Sequence, residues 1–322
     1  DESGCVAGGD VDDGYRRYGV RDSALHGRDR TVEPVTRILY VGCPMWAHRP
    51  WVGRHLPAST PTGSELAAYS KVVNAVEGNT TFYANPTPRV VARWADQADP
   101  GFRFVCKAPR EVTHERRLRD VDTVLAAFVD LIAPLGPLLG GITLQLPASF
   151  GPGDLGALAA VLAQAPAEVR WSVEVRHPDF FAGPARAALD RLLGRCGAER
   201  VLLDSRALFA EPPRSEAGRE AWQAKPRVPA LTEALTDQPV VRFIGSDHPE
   251  RTDAGLAGWQ PIVADWVRDG RTPTFFVHTP DNLESPALAR SFHAAVAGAV
   301  SGLECLPDAP EADLPPAQES LF

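Results

Sequence analysis

The chain has 322 residues, 44% of them hydrophobic, with 33 basic against 41 acidic side chains and a formal net charge of −8. This length and apolar content suffice to bury a full core in one large domain, and the negative balance disfavours a general nucleic-acid partner. No run of about 18 apolar residues is present to span a membrane, and the first residues carry no signal-peptide pattern.

Cys5, Cys43, Cys106, Cys196 and Cys305 are odd in number and widely spaced, with no CxxC pair. Reduced thiols in a cytoplasmic protein are expected, rather than a zinc site or a disulfide framework. In chain order, residues 1–36 are rich in Gly, Asp and Arg without a period, which predicts a flexible N-terminal tail. Residues 301–322 predict a flexible acidic C-terminal tail.

Between them, residues 37–300 alternate short apolar runs with helical patterns. The predicted strands are Arg37–Cys43, Val72–Gly78, Phe102–Ala108, Gly141–Leu146, Trp171–Arg176, Arg200–Asp204, Val240–Ile244 and Pro273–His278. Thr62 and Glu65 are spaced as a capping box before Leu66–Lys71. Thr87 followed by Pro88 reads as N-cap and first helical residue of a helix over Arg89–Gln97. Further helices are expected over Val121–Ile132, Asp154–Gln164, Ala185–Leu193, part of Glu216–Leu235, Trp259–Val267 and Ala287–Val300.

Eight strands each followed by a helix predict an α/β fold, a single (β/α)8 barrel of the TIM type. An open doubly wound sheet is the alternative. It would want a GxGxxG turn after the first strand, where this chain has Gly42-Cys43-Pro44-Met45-Trp46. The longest irregular connections, Gly53–Gly63 and Ser205–Asp237, are either functional lids or insertions.

Residues two apart on a strand share a face, and barrels place function on the last inward positions. Glu77 with Asn79, Lys107, Gln145, Glu174 with Arg176, Asp204, Arg242 and His278 hold such positions. An ion-pair network closing the barrel top would balance Glu77, Glu174 and Asp204 against Lys107, Arg176 and Arg242. A ligand pocket would use the same groups. The segment after the third strand adds Arg110 and His114, suited to an anion, and His177 follows the fifth strand where barrels keep acids and bases. Trp46, Trp51, Phe82 and Tyr83 either wall a pocket or plug the barrel mouth.

Four segments carry a resemblance. Val76-Glu77-Gly78-Asn79-Thr80-Thr81-Phe82-Tyr83 is similar to VEINSTFY, and Phe102-Arg103-Phe104-Val105-Cys106-Lys107-Ala108-Pro109-Arg110, followed by Thr113-His114, to FRFAVKAPR. Leu144-Gln145-Leu146-Pro147-Ala148-Ser149-Phe150 is similar to FQLPPSF, and Val173-Glu174-Val175-Arg176-His177-Pro178 to VEFRHP. Together they resemble the domain-of-unknown-function 72 (YecE-like) family over roughly residues 37–300. The resemblance implies a TIM-type barrel and no particular activity. The chain departs from the family pattern at Gly42–Trp46, usually GTSGW, and at Ile244, usually His. It departs again at His278-Thr279-Pro280-Asp281-Asn282, usually a pair of asparagines.

The leading expectation is an enzyme acting on a small anionic substrate by acid/base chemistry, with no cofactor identified. Glu77, Lys107, Glu174 and His177 are the catalytic candidates. Asn79, Tyr83, Arg110, His114, Gln145, Arg176, Asp204 and Arg242 are the binding candidates. The alternatives are a metal-dependent hydrolase or isomerase using Glu77, Glu174, Asp204, His177 and His278, and a non-catalytic barrel that binds a metabolite or docks a partner.

Overall fold

The structure of the protein, a computed structural model, describes residues 36–308. Most of both expected tails therefore lies outside the described residues. The strands are β1 (Tyr40–Cys43), β2 (Ala75–Gly78), β3 (Arg103–Lys107), β4 (Leu139–Gln145), β5 (Trp171–Glu174), β6 (Glu199–Arg200), β7 (Leu202–Asp204), β8 (Val240–Ile244) and β9 (Thr274–His278). Every pairing is parallel, in the order β6-β5-β4-β3-β2-β1-β9-β8-β7. The two ends of this order are halves of one predicted strand, interrupted at Val201, whose N–H donates instead to Val173 O at 2.9 Å. All eight predicted segments thus form strands, and the sheet curls into a nearly closed barrel.

The helices are α1 (Glu65–Tyr69), α2 (Thr80–Tyr83), α3 (Pro88–Gln97), α4 (Asp122–Ile132), α5 (Leu155–Gln164), α6 (Gly183–Arg195), α7 (Glu216–Ala224), α8 (Pro249–Arg268) and α9 (Ser285–Ala299). The alternating faces of the strands separate two apolar regions. Val41, Val76, Phe104, Leu144, Val173, Phe243 and Phe275 point outward into the main core beneath the helices. Tyr40, Ala75, Val105 and Phe276 form a small plug inside the barrel. Above that plug the interior is polar, beginning with a Thr143–Ser172 hydroxyl pair at 2.8 Å.

Local sequence accounts for several boundaries. Thr87 caps α3 by accepting from Val90 N at 3.4 Å, with Pro88 in the first turn, where its missing N–H costs nothing. The Thr62–Glu65 capping box does not form. Helix α1 starts at Glu65, whose carboxylate accepts from Gly63 N at 2.7 Å.

Helix α8 begins ten residues before the predicted Trp259. Gly255, Gly258 and Pro261 obscure its pattern in the sequence, yet Gly255 has a packing reason. A Cβ there would lie 2.7 Å from the buried Phe243 ring, so only glycine lets α8 approach β8 this closely. At the far end, within the segment expected as a tail, Leu303 and Leu306 pack against the core while their neighbours are exposed. Leu303 is buried and bridges to Arg37, which seals the start of β1 against the end of α9.

Candidate functional site

Lys107 ends β3, Gln145 ends β4 and Glu174 ends β5. Glu77 sits in the second half of β2, Arg242 at the middle of β8, and His278 ends β9. Their shared parity turns all six inward at the C-terminal mouth of the barrel, a cavity of about 760 Å³. Its walls include Lys107, Gln145, Arg176, Arg242 and His278 from the strand ends, and Asn79, Tyr83, Arg110 and His114 from the connections that follow.

At the floor lies a chain of ionic contacts. The Arg242 guanidinium donates from Nε to Glu77 Oε2 at 3.1 Å, lies 2.9 Å from Glu77 Oε1, and donates from a terminal nitrogen to Glu174 Oε2 at 3.3 Å. Arg176 forks onto the other oxygen of Glu174 at 2.9 and 2.7 Å. Lys107 Nζ donates to Gln145 Oε1 at 2.7 Å and lies 3.5 Å from Glu77 Oε1. Asn79 donates to Glu77 Oε2 at 2.8 Å and is pinned by Pro44 O at 2.9 Å. His278 Nε2 is 3.2 Å from the same oxygen, close enough for attraction but outside hydrogen-bond geometry.

The electrostatics follow from this geometry. Burial by itself would raise both carboxylates, but their cationic neighbours win. Arg242 and Lys107 hold Glu77 well below the usual range. Arg176, Arg242 and Lys107 bring Glu174 down to about 2. Lys107 falls to about 8 because burial, then the adjacent Arg242, disfavour its charged form more than the two glutamates support it. Burial and Arg242 lower His278 to about 3. His114 drops to about 4 through burial and then Arg176 and Arg110. Both imidazoles are neutral at pH 7.

Two predicted members stand elsewhere. Asp204 is paired in register with Phe243, which faces outward, while Leu203 is paired with Arg242 and takes the inward place. The Asp204 carboxylate therefore enters the helical layer, where it accepts from Trp259 Nε1 at 2.8 Å and from Arg206. His177 lies beyond the end of β5. Its Nδ1 accepts from Asp179 N at 3.3 Å, capping the short turn Pro178–Phe181, and its ring packs on Phe180 and over Gly151, outside the cavity. Of the aromatic group, Trp46, Phe82 and Tyr83 line the mouth. Trp51 is fully buried, stacked on Tyr69 and bonded to Asn282 O, and so belongs to the core.

Sequence reasoning missed Lys225, Met45 and Asn282 as pocket residues; it placed His278 at an inward strand end but gave it a role only as a metal ligand. Lys225 follows α7 in the Ser205–Asp237 connection, which thereby contributes to the pocket, whereas Gly53–Gly63 contributes nothing to its lining. Burial and the Arg242 charge lower the Lys225 pKa. Its rarity, as one of three lysines, was the available signal. With Asp204 outside and Lys225 and Arg110 at the rim, the expected three-against-three balance becomes two carboxylates, Glu77 and Glu174, against five cations, Lys107, Arg110, Arg176, Lys225 and Arg242.

Residues 40–314 match the family described as protein of unknown function DUF72. The chain belongs to the DUF72 family. Its curated relatives include the UPF0759 protein YecE of Escherichia coli K12, 38% identical over 286 residues that cover 88% of this chain and all of that protein. The YecE protein of E. coli O157:H7 matches to the same extent. Two solved DUF72 structures share the fold at low identity. One, from Enterococcus faecalis V583, has a TM-score of 0.61 at 14% identity, covering 80% of this chain and 95% of that one. The other, from Thermotoga maritima MSB8, has a TM-score of 0.61 at 21% identity, covering 80% and 96%. The DUF72 barrel contains no helix, among the described residues, long and apolar enough to cross a membrane.

Proposed function

We propose that this DUF72 barrel binds a small anionic molecule in its mouth and acts on it by proton transfer, with Lys107 as the exchanging group. The surplus of positive charge carries the reading: five cations line the mouth, and the two carboxylates are already engaged with three of them, Lys107, Arg176 and Arg242. A purely structural network has no need of that excess, because unpaired buried charge is costly. A phosphate or carboxylate completes it, with Arg176 and Lys225 reaching it from the half-buried rim and Lys107 from below.

The glutamates set the charge of the floor rather than move protons. Glu77 and Glu174 are ionised at neutral pH and clasped by guanidinium groups. Lys107, at about 8, holds the value nearest neutrality that suits an acid or base. Metal-dependent chemistry is less well served here. Arg242 spans the two carboxylates, and Asp204 and His177 stand outside the cavity. Buried, unpaired thiols at Cys43 and Cys106 suit a cytoplasmic protein.

The test is calorimetric titration of the full chain with inorganic phosphate and with small mono- and dicarboxylates, repeated on Lys107→Met. Binding that is abolished in the variant, with its circular dichroism unchanged, supports the reading. Equal affinity in both proteins, or no anion bound by either, rejects it. A protein that binds its anion tightly and returns it unaltered under every assay is a metabolite-binding barrel.

A further inference from the structure

A second cluster lies outside this pocket, where the connection after β7 meets the start of α8. His248 stands at the N-cap position of α8, Glu250 is in its first turn, and Glu211 comes from the connection. His248 is 2% exposed. Its Nε2 lies 2.9 Å from Pro212 O, an acceptor only, so that nitrogen carries the ring proton. The other nitrogen, Nδ1, is buried without a hydrogen-bond partner. It points at Glu211 Oε2, 3.2 Å away, and at Glu250 Oε1, 3.6 Å away. A neutral imidazole would thus present a lone pair to two carboxylate oxygens, three acceptors with nothing between them.

A cation resolves that conflict, and we propose that Glu211, His248 and Glu250 form a site for a divalent transition-metal ion of the zinc class. Three observations agree. The donor atoms lie within 4.8 Å of one another, and tetrahedral ligands about 2.0–2.1 Å from zinc stand roughly 3.3 Å apart, close to the two distances from Nδ1. The backbone carbonyl on Nε2 fixes the tautomer that exposes Nδ1, as outer partners of metal-bound histidines do. One nitrogen and two carboxylate oxygens, with both glutamates partly open to solvent, leave a position for water.

Two arginines bear on the site. Arg251 is bonded to Glu211 through the other oxygen, Oε1, and so orients Oε2 toward the site. Arg214 lies 3.8 Å from Glu250 Oε1 and is the contact the ion displaces. The ion would fasten the Ser205–Asp237 connection, which carries Lys225, onto the body of the barrel. Asp247 already accepts there from Arg214 N and Ser215 N at 2.8 and 2.6 Å. The rival is a doubly protonated His248 paired with both glutamates.

Full-length protein stripped with EDTA is titrated with Zn2+ at pH 7.5 against a chromogenic chelator, alongside His248→Gln and Glu250→Gln. The expected result is about one ion per wild-type chain and a higher Tm with Zn2+. At least about tenfold weaker binding is expected in Glu250→Gln, with loss of both effects in His248→Gln. Glu250 is exposed, so its variant tests the site even if His248→Gln does not fold. Zn2+ affinity equal in wild type and Glu250→Gln overturns the proposal. So does a nitrogen NMR spectrum showing His248 protonated at both ring nitrogens with Zn2+ present, which assigns the cluster to an ion pair.

Discussion

Lys107 shows how one residue combines position and charge. Its place at the end of β3 turns it inward, and burial beside Arg242 lowers its pKa to about 8. The ammonium that attracts an anion is therefore lost as pH rises through that value. Anion affinity should fall roughly tenfold per pH unit above about 8, measured by calorimetry. Lys107→Arg, which stays charged, should flatten the profile, and an unchanged slope in that variant removes Lys107 from the explanation. Glu174 makes the complementary case. Replacing it by Gln strands Arg176 and Arg242 without their shared counter-charge. This should destabilise the protein by about 3 kcal/mol in urea denaturation. A change below about 0.5 kcal/mol would mean that these guanidinium groups find water instead.

At the scale of elements, the contact of α8 with β8 decides what position 255 tolerates. Helix propensity alone favours Gly255→Ala by about 1 kcal/mol. The added Cβ, however, meets Phe243 ring carbons at 2.7 and 2.8 Å, and that ring is fully buried and cannot retreat. The substitution should destabilise by about 1–3 kcal/mol; a rise in Tm would show that α8 shifts outward freely. The strand interrupted at Val201 matters in another way. β6 pairs with β5 and β7 with β8, so the join is where the barrel closes and where the run of side chains must be read against a neighbour. Register with β8 sends Leu203 in and Asp204 out. A one-residue shift in parity moves a whole set of side chains to the other face, which is why Asp204 was misplaced from sequence while Glu77, Lys107, Gln145 and Arg242 were not.

For the whole molecule, the ionic floor links stability to acid. Glu174 has a folded pKa of about 2 against an ordinary 4.5, and Glu77 shifts in the same direction. A carboxylate depressed on folding contributes stability fully above its unfolded value and loses it as pH falls through the folded one. Urea midpoints should therefore start to fall below about pH 6.5, where the unfolded chain takes up protons that the half-buried His114 and the buried His278 refuse, and fall further between pH 4.5 and about 2, with that second decline shallower in Glu174→Gln. An identical decline in wild type and variant would place the acid sensitivity elsewhere. The continuous outer core, reaching from β1 across the helices to Leu303, further predicts one cooperative transition for the barrel. Two transitions, or a protease-resistant fragment of half the barrel, would divide it.

By itself the sequence determined the class of fold and most of the pocket floor. Both are written in short-range periods: eight apolar runs with alternating faces, each closed by turn residues, and polar side chains at the last inward positions. The four motifs placed the chain beside its family on the same residues. Tertiary structure decided the balance of charge and the membership of the rim. Lys225, Met45 and Asn282 sit on irregular connections, where no period says which way a side chain points, and their place depends on how those connections fold back over the mouth. His177 was read from its proximity to the mouth, but a cap on its own turn claimed its free nitrogen. The Glu211–His248–Glu250 cluster joins a residue of the long connection to the start of α8 about 40 positions later, so only their convergence in space reveals an imidazole nitrogen facing two carboxylates.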